Sequence, residues 1–211
     1  SLFASPDAYL SIIKVLAESK KGLSRDEIAG KAKLSNNGYL TKLLSNLVNC
    51  DFIRSSHVKE KKIKNNAQFY QLTDLFTLFH YTFAQKQITD ENYWSNMLGT
   101  NRMNTWLGLA FERVCLLHIP QIKRALGIDR IHTEYYSWRS KQSQPAAQID
   151  LIIERADQLV NICEVKYSEY EYAIDKAENN RLRIRMGNFK EETQTKGGLH
   201  LTLITTFGIK K

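Results

Sequence analysis

The spacing of apolar residues changes period several times along the chain, and each change marks an element. Leu10, Ile12, Ile13 and Leu16 recur at helical spacing after Ser5-Pro6-Asp7, a helix start with Ser as N-cap and Pro at the first helical position. The spacing predicts a helix to about Glu18. Ser24-Arg25-Asp26-Glu27 has the form of a capping box and predicts a second, short helix through Ala32. Ser35 is read as the cap of a third, whose Leu40, Leu43, Leu44, Leu47 and Val48 share one face. "FIRSS" and "QFYQLTD" then alternate like two strands, joined by the polar basic loop "HVKEKKIKNN". "DLFTLFHYTFAQ" is an apolar, aromatic helix, and the polar stretch "KQITDENYWSNMLGTNRMN" after it is the best domain boundary.

The second half opens with a helix, "NTWLGLAFERVCLLHIPQI", broken near Pro120. Strand-like segments "RIHTEYYSW", "AQIDLIIE" and "LVNICEVKY" follow, then a polar helical region from about Tyr170 to Thr193 and a last strand, "LHLTLITTF". Helix, three strands, helix, strand is an α/β arrangement with a mixed sheet flanked by helices, and the chain is α+β as a whole. Three helices followed by a hairpin is the order of a winged helix. The expected division is a winged-helix domain over 1–73, a helical linker over 74–103 and a second domain over 104–211.

In a winged helix the third helix enters the major groove of DNA and the wing lies near phosphate or the minor groove. Here that helix would expose Asn36, Asn37, Tyr39, Lys42 and Asn46, and the wing carries Lys59, Lys61, Lys62 and Lys64. Asn36, Asn37 and Tyr39 suit base edges or phosphates, and the lysines suit phosphates. Docking to another protein is the alternative use of the same surface.

Charge points the same way. The 211 residues carry a net charge of +8, which favours nucleic acid first and an anionic membrane second, although a solvated basic surface accounts for it equally well. Cys50, Cys115 and Cys163 are far apart and form no CxxC pair, which fits a reducing compartment and argues against a structural zinc or a disulfide framework. No apolar run reaches the length of a membrane span and the N-terminus has no signal-peptide layout, so a cytoplasmic protein without a membrane partner is expected. The chain starts at Ser1 without an initiator Met, which reads as a fragment of a longer one.

The candidate chemistry lies in "AQIDLIIERADQLVNICEVKYS", where Asp150, Glu164 and Lys166 stand among residues that should be buried. Buried charges need a partner or a metal. Strict alternation puts Asp150 on a face with Gln148 and Ile152, with Ile149, Leu151 and Ile153 on the other. A hairpin loop of odd length, Ala156 to Gln158 or Arg155 to Leu159, sets Asp150 opposite Glu164. Two adjacent carboxylates suit Mg²⁺ or Mn²⁺, and Lys166 lies two residues on, on the face of Glu164. Alone, the triple fits a cross-strand ion-pair network as well as a metal site. Upstream, "GLAFERV" places Gly108 and Glu112 on one helix face, so a close approach to the sheet would bring a third carboxylate, Glu112, to the cluster. Arg181, Arg183 and Arg185 in "NNRLRIRM" read first as a solvated helix face, with phosphate binding near the acidic site as the alternative; His118 and His132 read as structural and Cys163 as core.

Glu on a first helix, Asp on the second strand and Glu-x-Lys on the third resembles the PD-(D/E)XK nuclease-like superfamily, here in the reduced form "QID…EVK" without Pro-Asp. Over nearly the whole chain, "FYQLTDLFTLFHYTFA", "GLAFERVCLLHIPQIKRALGI", "AQIDLII", "ICEVKYS" and "LHLTLITTFG" look like the C-terminal half of the archaeal-type AAA+ ATPases of Bacteroides and archaea. The resemblance implies that residues 104–211 are a PD-(D/E)XK nuclease-like domain. It also implies that a P-loop ATPase domain of the same chain precedes them and binds ATP; no GxxxxGK[ST] occurs in this sequence. The implied activity is Mg-dependent hydrolysis of DNA phosphodiesters, with Asp150, Glu164 and Glu112 on the metal, Lys166 positioning the nucleophile and Gln148 orienting substrate or water. A catalytically silent platform for DNA or protein, regulating the ATPase, is the alternative. DNA and the ATPase domain are the expected partners, and a homo-oligomer stays open.

Overall fold

A computed structural model describes residues 6–19, 21–57, 68–85, 88–140 and 147–210. Ser5 and the lysines expected in a wing, Lys59, Lys61, Lys62 and Lys64, lie outside the described residues. The chain is mixed α+β with two separate sheets, and it divides into two compact units, one of residues 6–57 and 68–106 and one from 107 onward.

The first unit starts with α1 (Pro6–Glu18), which ends where its apolar period ends and buries Tyr9, Ile12, Ile13 and Leu16. A two-residue strand, β1 (Leu23–Ser24), leads into α2 (Arg25–Ala32). The capping box is formed in both directions: Ser24 Oγ accepts from the Glu27 amide at 3.2 Å and Glu27 Oε2 from the Ser24 amide at 2.7 Å. α3 (Gly38–Asn49) starts later than expected, because its cap is Asn37 and not Ser35. Asn37 Oδ1 reaches the amides of Tyr39 and Leu40, two donors that a helix start otherwise leaves unpaired.

β2 (Ile53–His57) and β3 (Gln68–Leu72) pair antiparallel from Ile53 with Leu72 to His57 with Gln68, and β1 adds to the other edge of β3. β1 is too short to leave a period-2 signal, so only the hairpin was legible. Asp74 then caps α4 (Leu75–Phe79), which continues as a π-helical turn over His80–Ala84 rather than as one regular helix. The widened turn coincides with a ring cluster in which Phe79 and Phe83 both contact Trp94 and Trp106. α5 (Tyr93–Met97) carries Trp94. Leu78 is buried in the same core as Leu40, Leu44 and Leu72, with Leu75, Tyr81 and Trp106 packed against it.

α6 (Asn101–Leu117) runs into the second unit and breaks at His118 before α7 (Ile119–Ala125). Pro120 sits in the first turn of α7, where its missing N–H has no intrahelical partner to lose. The strands are β4 (Thr133–Arg139), β5 (Gln148–Arg155), β6 (Leu159–Lys166) and, after α8 (Lys176–Thr193), β7 (Gly198–Thr205). They lie in the order β4-β5-β6-β7; the first two pairings are antiparallel and β6–β7 is parallel. A parallel neighbour needs a crossover, and α8 supplies it. One sheet face packs Leu151, Ile153 and Cys163 against Leu116, Ile119 and Ile128. The other packs Ile152, Val160, Ile162 and Trp138 against Phe189 and Met186 of α8. Among the described residues no helix is long and apolar enough to cross a membrane.

Candidate active site

The β5–β6 hairpin sets the geometry. Its loop is Ala156–Gln158, the shorter of the two odd lengths, with Gln158 in the left-handed region at φ 67° and Arg155 Nε 2.9 Å from Asp157 Oδ1. The ladder pairs Leu151 with Cys163 and Ile152 with Ile162. The ladder ends there, and Asp150 and Glu164 are the residues next to its last pair.

The strict alternation expected on β5 does not hold. Tyr136 pairs with Ile152 and Trp138 with Ile149, so Asp150 and Leu151 together oppose Ser137 in a β-bulge. Ile149 consequently joins Ile152 in the cluster against α8, while Leu151 and Ile153 pack on the opposite face. An extra residue in one strand shifts every side chain before it, which a period-2 count through "QIDLII" cannot register. Asp150 lies in the bulge, where Oδ1 accepts a hydrogen bond from Gln148 Nε2. Gln148 therefore orients Asp150, and its own Oε1 accepts from an Arg139 guanidinium nitrogen at 3.4 Å.

On β6, Glu164 is held by two cations. Its Oε1 lies 3.0 Å from Lys166 Nζ, and its Oε2 accepts from Arg185 of α8. Lys166 Nζ is shared with Glu178 Oε1 at 3.3 Å, and Glu178 Oε2 accepts from the Tyr172 hydroxyl. Burial, reinforced by the bond to Glu178, pushes the Tyr172 phenol well above its usual pKa, so it stays a donor. Tyr172 is fixed through its backbone: its amide donates to the Gly208 carbonyl at 2.9 Å and its carbonyl accepts from the Lys210 amide at 3.0 Å. Two carboxylates, two cations and a phenol thus form one connected, charge-balanced network over the C-terminal end of β6.

Arg185 is the correction to a solvated reading of "NNRLRIRM": Arg181 and Arg183 are exposed, but Arg185 turns inward onto Glu164. Glu178 was missed. The signal was present in Asp175-x-x-Glu178, which marks a helix start at Asp175, and the Asp175 carboxylate does accept from the Glu178 amide at 2.7 Å. From that start Glu178, Leu182, Arg185 and Phe189 fall on one face. Starting the helix near Tyr170 hid it.

Glu112 comes from a different element. It is half-buried on α6, one turn from Leu116, which packs on the sheet face turned away from α8. Burial lifts the neighbouring Cys115 thiol to about 11, and the Glu112 charge adds to the rise. Among the described residues no three His, Cys, Asp or Glu side chains group as a metal site. Two hard carboxylates on adjacent strands remain, Asp150 and Glu164. That donor set fits Mg²⁺ or Mn²⁺ when water and a phosphate complete the shell.

On α3, Tyr39 is 47% exposed and Lys42 is exposed. Asn37 is committed to the cap, Asn36 donates to Asp26 Oδ1, and Asn46 is half-buried and donates to the Tyr9 hydroxyl. Cys163 is a core residue and His118 Nδ1 lies 2.7 Å from the Val114 carbonyl oxygen. No family model, curated protein or solved structure matches the chain.

Proposed function

We infer that this chain pairs a winged-helix DNA-binding module with a PD-(D/E)XK-type module that hydrolyses DNA phosphodiesters with Mg²⁺ or Mn²⁺, as the C-terminal region of an AAA+ ATPase. The element order of residues 6–72, three helices with a three-stranded β1-β3-β2 sheet, supports the first half. The observation that supports the second is the β5–β6 ladder, which ends at Leu151 paired with Cys163, the neighbours of Asp150 and Glu164, with Lys166 3.0 Å from Glu164. Asp150 and Glu164 would hold the cation, whose chemistry is to polarise the phosphate and make water a better nucleophile. Gln148 orients Asp150. Lys166, steadied by Glu178 and Tyr172, is placed to hold the attacking water or to offset charge on the phosphate oxygens. On the first unit, Tyr39 and Lys42 are the exposed α3 side chains that suit duplex contact.

One observation favours a second reading. Both Glu164 oxygens are taken by cations, a closed arrangement that a silent platform for DNA or protein would also have. Cleavage of supercoiled plasmid with Mg²⁺ or Mn²⁺ separates the two. The enzyme reading expects nicking that falls by at least about 10³-fold in Asp150→Asn. Duplex binding without metal-dependent cleavage would establish the platform.

A further inference from the structure

The two cations on Glu164 are held differently. Lys166 is shared between Glu164 at 3.0 Å and Glu178 at 3.3 Å. Arg185, among the described residues, reaches one carboxylate, Glu164, through one guanidinium nitrogen. A guanidinium has five N–H donors in a planar fork that matches phosphate. The Arg185 side chain is 29% exposed against 14% for Glu164, so it is the more open to solvent of the two. If Glu164 is withdrawn from these contacts, Lys166 keeps Glu178, whereas Arg185 keeps no acid.

We propose that Arg185 is the resident cation of Glu164, giving up Oε2 when a divalent cation arrives and then binding a phosphate of the nucleic-acid substrate. This rests on the metal-dependent reading of the second unit. Metal must displace a charge-assisted hydrogen bond, which weakens its apparent affinity in the free protein. A phosphate offers the released guanidinium a new partner, so metal and nucleic acid each strengthen the binding of the other. Positive charge at Glu164 is thereby maintained in both states, and the site is assembled fully only with substrate present.

Calorimetric titration of the 211-residue chain with Mn²⁺ tests this without relying on activity. Arg185→Ala should bind Mn²⁺ about tenfold more tightly than the parent, because its competitor is gone. Arg183→Ala removes the same charge from an exposed position on the same helix and should change affinity within about twofold. Arg185→Lys keeps a cation without the fork, should fall between, and replaces Arg185→Ala if that variant does not fold. In Ca²⁺, which fills the site in place of Mn²⁺, the metal-induced gain in duplex affinity should shrink in Arg185→Ala. Unchanged or weaker Mn²⁺ binding in Arg185→Ala, equal tightening in Arg183→Ala, or no Mn²⁺ binding by any chain overturns the proposal. An undiminished Ca²⁺-dependent gain removes its phosphate half. Tighter Mn²⁺ binding in Arg185→Ala without DNA cleavage by any chain would uphold the resident cation and sink the nuclease reading instead.

Discussion

The two faces of the second sheet are built from the same strands and come out chemically opposite. On the side of α6 and α7, Leu151, Ile153 and Cys163 meet Leu116, Ile119 and Ile128, an apolar cluster whose main term is hydrophobic burial, with Asn161 beside it as a buried polar residue donating to Thr202. Against α8, β6 changes character along its length: Val160 and Ile162 pack on Phe189, then Glu164 and Lys166 meet Arg185 and Glu178. The helix runs opposite to the strand, so its apolar residues and its charges arrive in matching order. Burial does not explain the second region. A partly buried ion network gains little over well-packed apolar residues of the same volume, because desolvation offsets the attraction. The lesson is that apolar burial accounts for the first region, whereas the charged patch needs an account of its own.

The largest expected effect is on the apolar face. Ile153 is fully buried, and Ile153→Ala should cost about 3 kcal/mol in urea unfolding, equally with and without Mn²⁺. Next comes alkaline pH. Burial raises the Cys163 thiol from its ordinary 9.0 to about 12, and burial first, then Glu112, raises Cys115 from the same value to about 11. Above the unfolded value the unfolded chain has released protons that the folded chain still holds. Stability should therefore fall as pH rises from 9 toward 11, by up to about 1.4 kcal/mol per pH unit for each thiol, and be unaffected by them below 9. Cys163→Ala should flatten that slope in unfolding curves taken across the range.

On the charged face, Glu178→Gln keeps an acceptor for Tyr172 and loses the charge facing Lys166. A stability loss of about 1 kcal/mol is expected. A loss as large as that of Ile153→Ala would make the network a structural keystone and collapse the contrast between the faces. The smallest effect belongs to the first unit: Lys42→Ala should weaken duplex binding at every sequence and lower the salt slope by about one. An unchanged slope would assign α3 to protein docking.

What was legible in the sequence follows the same division. Helical periods located α1, α3 and α6, the Ser24–Glu27 box located α2, and the condition that Asp150 oppose Glu164 named two odd loops, the shorter of which the hairpin has. What was not legible depends on contacts that no local period encodes. The bulge at Asp150 and Leu151 is forced by pairing with β4 and is invisible in β5 by itself. Asn37 displaces Ser35 as cap because the chain turns after it, and both residues are good caps. Glu178 and Arg185 occupy an inner helix face with charge, so α8 has almost no amphipathic contrast to detect.

The central claim, that the charged face exists for a metal and a phosphate, is tested most directly by melting the parent and Asp150→Asn with and without Mn²⁺. Asn keeps an acceptor for Gln148, so the substitution removes charge without removing the hydrogen bond. The parent should gain several degrees at about a hundredfold excess of Mn²⁺ over its Kd. Asp150→Asn should show no such gain and, without metal, should melt no lower than the parent. A parent indifferent to Mn²⁺, together with a metal-free mutant that melts lower, would contradict the account and leave the cluster as a structural ion-pair network.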